Sequence, residues 1–246
     1  MANPVLSRTA FTDATATAAE GRMTLAGAVT KTGALMALCA VSAAGIWVTS
    51  ASLGPSTSTA ILVAALLGFA IAMATVFRPQ WSPITAPLYA IVEGVLLGGV
   101  TLLINAVPRY AGLPLTALGL TLVAAFTMLA LYVTRVVRVT QRFRAVVTGA
   151  ILAITAYYLI SIVLGLFHVQ APLMQSSSWV SIGFSLLVVG IATSSFLLDF
   201  DMIEQAVNRG SPQYLEWYGA FGVLVTFVWL YLEILRLLVK ISGRRN

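Results

Sequence analysis

Seven stretches of the chain run for roughly twenty residues with almost no charge, and short connectors, mostly rich in Pro, Gly and Ser, separate them. They lie at Thr32 to Ser52, Thr57 to Phe77, Ala86 to Val107, Leu113 to Thr134, Ala145 to Phe167, Ser178 to Leu198 and Trp217 to Val239. A run of that length crosses the hydrocarbon of a bilayer as a helix, which satisfies its own backbone hydrogen bonds where no water can. The breaks "LGPSTS", "RPQWSPITAP", "PRYAGLP" and "HVQAPLMQSSS" hold the residue types that end helices. The pattern predicts an all-α polytopic membrane protein. A mobile polar tail at 1–30, a seven-helix domain at 31–240 and a basic tail at 241–246 make up the chain.

Composition supports the pattern: 59% of residues are hydrophobic and 9% are charged, against roughly 25% charged in an ordinary soluble domain. The net charge of +6 raises the question of nucleic acid. However, the basic residues fall mostly in connectors between apolar runs, where they orient a membrane protein and meet anionic headgroups. Arg8, Arg22, Lys31, Arg78, Arg135, Arg138, Arg142, Arg144 and Arg209 collect on one side; Arg109, Lys240, Arg244 and Arg245 fall on the other. Lys and Arg favour the cytoplasmic side. The expectation is a multi-pass protein of the inner (plasma) membrane, N-terminus cytoplasmic, with the basic C-terminal tail as the dissenting signal. Cys39 is the single cysteine and forms no disulfide within the chain.

Three ionisable residues interrupt the apolar runs: Glu93 in "LYAIVEGVLLGG", and Glu233 with Arg236 in "LYLEILRLL". Each costs about 2.5 to 3.5 kcal/mol at mid-bilayer unless it is paired, wet or used. Glu233 and Arg236 are three residues apart on one helix, the spacing of a local ion pair. Glu93 has no nearby cation in sequence, but Gly94 and Gly98 follow it as a GxxxG that lets another helix come close. A protonated Glu93 hydrogen-bonded across that contact is one expectation.

Asp199, Asp201 and Glu204 cluster where the sixth run ends. Acids at a helix C-terminus oppose its dipole, so a cationic partner is implied. The candidate is "TRVVRVTQRFR", whose Arg135, Arg138 and Arg142 would share a helical face by their three-then-four spacing. That face serves equally as a headgroup-binding surface. No enzyme signature appears. His168 is the only histidine, so neither a histidine metal site nor a Ser-His-acid triad can assemble, and no phosphate-cradling glycine loop is present.

"LLDFDMIEQA" followed by "LYLEILRLL", on seven apolar runs with a polar N-terminal tail, resembles the Bax inhibitor family in its bacterial branch. The resemblance implies a final helix surrounded by the other six and a pH-sensitive calcium leak. It also implies a carboxylate pair, with Asp199 beside Phe200 and Ile203 matching the pattern on the sixth helix and Glu233 in "LYLEI" matching the one on the seventh. No cofactor is implied beyond transient Ca2+. Two departures stand out. Glu233 replaces the usual aspartate, and 34 positions separate it from Asp199. Direct contact would require the last helix to begin late or break at Gly219 and Gly222; otherwise Glu216 is the better-placed partner for Asp199 or Asp201. In the paired form a shared proton holds the helices together, and two charges open a route for a hard cation. The alternative is an interaction protein that modulates a membrane protease without flux of its own. Solute transport by alternating access ranks last, because the runs show no inverted repeat.

Overall fold

The computed structural model describes residues 21–53, 56–167 and 178–244. Among them the chain is all-helical, with seven helices long and apolar enough to cross a membrane. These are α1 (Leu25–Leu53), α2 (Ser56–Phe77), α3 (Ser82–Asn105), α4 (Leu113–Val133), α5 (Gln141–Leu166), α6 (Trp179–Asn208) and α7 (Leu215–Arg244). Short 3-10 turns at Pro79–Trp81 and Pro108–Tyr110 occupy two of the Pro-rich breaks. His168, Arg8 and Arg245 lie outside the described residues.

The predicted runs and the helices coincide, but four helices extend past the charges that bound the runs: α1, α6 and α7, and also α5, which begins at Gln141 and takes in Arg142 and Arg144. α1 begins at Leu25 rather than Thr32, so residues 21–30 are not tail: Met23 is 3% exposed and Ala28 1%. Thr24 starts the helix, its hydroxyl accepting the Gly27 N–H at 3.0 Å in the manner of an N-cap. α6 continues ten residues beyond Leu198, and α7 runs to Arg244, through most of the expected basic tail. The rest of the expected tail, residues 1–20, lies outside the described residues.

α6 stops where the sequence supplies a stop. Gly210 takes φ +66°, Ser211 N–H bonds Ala206 O at 3.2 Å and Gly210 N–H bonds Val207 O at 3.0 Å. This is the Schellman arrangement, in which a residue with no Cβ penalty turns the chain and satisfies the last carbonyls.

By internal packing the chain forms two compact units. One holds the chain up to Ala106 together with Asp199–Val225; the other holds Val107–Leu198 with Thr226 onward. In the first, α3 packs closely on both α1 and α2. Gly94 and Gly98 lie against the backbone of Cys39 and Ala43 on α1, where a Cβ would collide, so the GxxxG is a helix contact as its spacing predicts. Ser42 Oγ reinforces it by donating to Ile91 O at 2.7 Å. In the second unit, Val147 and Ile151 of α5 and Leu198 of α6 form an apolar core, with Val139, Phe143, Ile191 and Trp229 packed on it. α7 is the most enclosed helix: 56% of its most apolar stretch is buried inside the protein, against 11 to 39% for the others.

Candidate functional site

Four carboxylates are sealed from the exterior, with exposures of 6% at Glu93, 0% at Asp199 and 1% at both Glu216 and Glu233. A buried charge needs a partner or a use. The four meet that need in different ways.

Glu216 sits in the first turn of α7. Its Oε1 accepts the Thr24 N–H at 2.7 Å and the Thr24 hydroxyl at 2.9 Å, while Oε2 takes Lys31 Nζ as an ion pair. Lys31 Nζ also lies 5.5 Å from the centre of the Trp217 ring. Gly27 makes room for the acid, since a Cβ there would overlap its carboxylate. Backbone bonds fasten the same segment to the α6–α7 turn. Arg22 and Pro212 form an antiparallel bridge, Met23 N–H donates to Ser211 O at 2.7 Å, and Gln213 N–H donates to Gly21 O at 3.1 Å. Residues 21–31 thus form a strap that holds the start of α7.

Glu93 is halfway along α3 and has no ion pair among the described residues. Its carboxyl is hydrogen-bonded by the Tyr89 phenol one turn earlier. Gly68 of α2 leaves space for it: a Cβ there would stand 3.2 Å from Glu93 Oε2. Tyr89 in turn meets Phe221 edge-on, ring centres 4.9 Å apart.

Asp199 lies in the part of α6 that pairs with the start of α7. Ile203 packs on Gly219, where a Cβ would stand 2.9 Å from Ile203 Cγ1, and this fixes the register of the hairpin. One turn back from Ile203, Asp199 is level with about Val223. On α7 Glu216 precedes Val223 by seven residues and Glu233 follows it by ten, about 10 and 15 Å of helix. α7 starts at Leu215 and continues unbroken through Gly219 and Gly222, so the late start or break that direct approach of Glu233 needs is absent.

Glu233 is held within the second unit. Arg236 NH1 donates to both its oxygens, at 2.8 and 3.0 Å, and the Tyr158 hydroxyl donates to Oε1 at 2.7 Å. Arg236 NH1 also reaches Tyr158 Oη at 2.8 Å, closing a three-membered network. The local pair predicted from the i,i+3 spacing is present. Further along α7, Lys240 is buried and donates to Ser185 Oγ at 2.9 Å. Arg109 donates to the carbonyls of Ser242 and Gly243 at the end of α7, and Arg244 lies 3.7 Å from the centre of the Trp179 ring. The basic end of α7 is therefore occupied by protein contacts.

Two expectations are corrected. Arg135, Arg138 and Arg142 do not share a helical face: α4 ends at Val133, Arg135 turns the chain at φ +57°, Arg138 lies in the irregular connector, and Arg142 belongs to α5. The Thr134 hydroxyl donates to Ala130 O at 2.7 Å, and Thr140 caps the new helix by accepting the Phe143 N–H. The connector is thus two helix ends. Nor does the acidic cluster stand at a helix end. α6 runs on to Asn208, and on that face Gln205 donates to Asp201 Oδ2 at 2.7 Å while Arg209 donates to Gln205 Oε1 at 3.1 Å. Arg209, just past the end of α6, is linked to Asp201 through Gln205. Glu204, also on α6, is half-buried.

Lys31 and Thr24 are site residues that the sequence does not single out, and Tyr158, which reads as an interface anchor or core aromatic, joins Glu233 instead. Lys31 stands one residue before the apolar run that begins at Thr32, where it reads as an orienting charge. The available signal was that a helix beginning at Leu25 encloses a lysine, and an enclosed lysine needs an acid. Among the described residues no three His, Cys, Asp or Glu side chains converge as a metal set.

Neither the curated proteins nor the solved structures give a match to the chain. The family model described as Bax inhibitor 1 like matches residues 3–243. With nearly the whole chain covered and seven membrane-length helices in place, the protein belongs to the Bax inhibitor 1 like family.

Proposed function

We propose that the protein is a slow, proton-sensitive cation leak in the inner (plasma) membrane, N-terminus cytoplasmic, with Ca2+ as its cargo. The observation that carries this reading is the sealing of four carboxylates inside apolar helices, when the whole chain has only eight acidic residues. Carboxylate oxygens suit a hard cation. Glu216 and Glu233 are engaged in ion pairs with Lys31 and Arg236. Glu93, bonded to a phenol, and Asp199, level with Val223, are the switch residues in this reading. Protonated, they let α1, α2 and α3 and the α6–α7 hairpin stay closely packed. Charged, they draw water and a cation between those helices, so the leak grows as pH rises.

Calcium flux into liposomes holding the purified protein, measured at pH 6 and pH 8, tests this. Wild type should leak faster at pH 8, and Asp199→Asn and Glu93→Gln should each flatten the difference. Unaltered pH dependence in both variants removes the switch, and no flux above empty liposomes removes the leak.

One observation favours a second reading, an interaction protein that modulates a membrane protease. The strap at residues 21–31 ties the N-terminal segment to the α6–α7 turn, so a partner gripping that segment would act on α7. Under this reading reconstituted protein shows no flux, and removal of residues 2–20 abolishes the effect on the protease.

A further inference from the structure

We infer that the α4–α5 connector is a binding surface for the headgroup of an anionic phospholipid. It joins the ends of two membrane-length helices, Val133 and Gln141, so its residues sit at the level of the headgroups. Arg135, Arg138 and Arg142 are all exposed there. Arg138 and Arg142 make no hydrogen bond, ion pair or ring contact with any described residue.

The surface is also built. Val139 and Phe143 pack on the core of Val147, Ile151 and Leu198, and each follows an arginine by one position, so the arginines face away from an anchored backbone. Arg135 holds the left-handed conformation at φ +57° with its guanidinium 5.4 Å from the centre of the Tyr132 ring. A non-glycine residue there costs roughly 1 kcal/mol or more. No acid occupies the first turn of α5 to neutralise the group.

Apolar neighbours distinguish lipid from other polyanions. Val133, Val136 and Val146 flank the arginines and are 68 to 71% exposed. A nucleic acid or a soluble phosphate gives those side chains nothing to bury. A phospholipid gives them acyl chain while its phosphate meets the guanidinium groups, which bind phosphate with paired N–H donors. Each cation near an anionic membrane surface contributes about 1 kcal/mol.

Native mass spectrometry of the purified full chain, titrated with phosphatidylglycerol or phosphatidylcholine, tests the inference. Wild type should retain phosphatidylglycerol in preference to phosphatidylcholine. Arg138→Gln/Arg142→Gln should weaken that retention roughly 30-fold, the factor for two such cations at 1.4 kcal/mol per tenfold. Arg209→Gln, exposed but bonded to Gln205 on α6, should leave it unchanged. Equal retention of the two lipids by wild type, or full retention by the double variant, overturns the inference. Displacement of phosphatidylglycerol by millimolar inorganic phosphate overturns the lipid assignment, as does equally tight binding of a single-stranded oligonucleotide. Both substitutions are at exposed positions, and a circular-dichroism melt matching wild type shows that any loss is not unfolding.

Discussion

Lys31 on α1 and Glu216 on α7, 185 residues apart in sequence, form an ion pair in which the acid is sealed and the cation is not: their side-chain exposures are 2% and 18%. The asymmetry decides what each substitution does. Removing the cation strands a buried carboxylate, which costs about 3 to 5 kcal/mol. Removing the charge of the acid leaves only the less sealed of the two partners unpaired, at smaller cost. Lys31→Met should therefore unfold well before Glu216→Gln in denaturant titrations of detergent-solubilised protein followed by circular dichroism. The double variant should recover much of the loss, because two neutral side chains leave no stranded charge. A double variant no more stable than Lys31→Met contradicts this account.

Gly27 is the steric half of the same arrangement. Alanine is ordinarily the better helix residue by about 1 kcal/mol, and Gly33→Ala, which meets open space, should show that gain. Gly27→Ala places its methyl group on the Glu216 carboxylate and should lose stability instead. The same unfolding titrations compare the two; a gain at both positions would mean that the acid moves aside freely.

The seven helices were legible because a run of apolar residues announces itself. Their ends were less so. Hydropathy reading stops at the first charge, whereas a helix continues while its residues favour it, as α6 does through "DFDMIEQAVN" until Gly210 takes a positive φ. The site followed the same division. Glu233 and Arg236 are three residues apart on one helix, so their pairing could be read directly. The partner of Glu216 could not, because Lys31 lies on a distant helix whose start was placed too late. The arginine connector differs from its expected form for a related reason: three-then-four spacing implies a shared face only within one helix, and Thr140 caps a new one between Arg138 and Arg142.

In the second unit the exposures again predict an order. Glu233 is 2% exposed in its side chain and Arg236 is 32%. Arg236→Met should cost more than Glu233→Gln, since the acid is the more deeply sealed of the two, although either change strands a charge on an apolar run. Tyr158→Phe removes one donor from the charged Glu233 Oε1 while Arg236 stays, and should cost about 1.5 to 3 kcal/mol. Thermal melts of the three variants in one detergent give the order. Glu233→Gln as the most damaging change would mean that Arg236 needs its acid more than the acid needs Arg236.

Truncation separates the strap from what precedes it. Deleting residues 2–20 retains Gly21 to Lys31, and with them the Arg22–Pro212 bridge, the Met23–Ser211 bond and all three donors to Glu216. That variant should melt within a few degrees of wild type. Deleting residues 2–28 takes away the bridge, buried Met23 and both Thr24 donors, and leaves Lys31 at the end of a shortened helix. Two lost hydrogen bonds to a charged group, at about 1.5 to 3 kcal/mol each, are enough to show as a large drop in melting temperature. Equal melting of the two truncations would show that the start of α7 is held without the strap, and would leave a partner acting on the N-terminal segment no route to that helix.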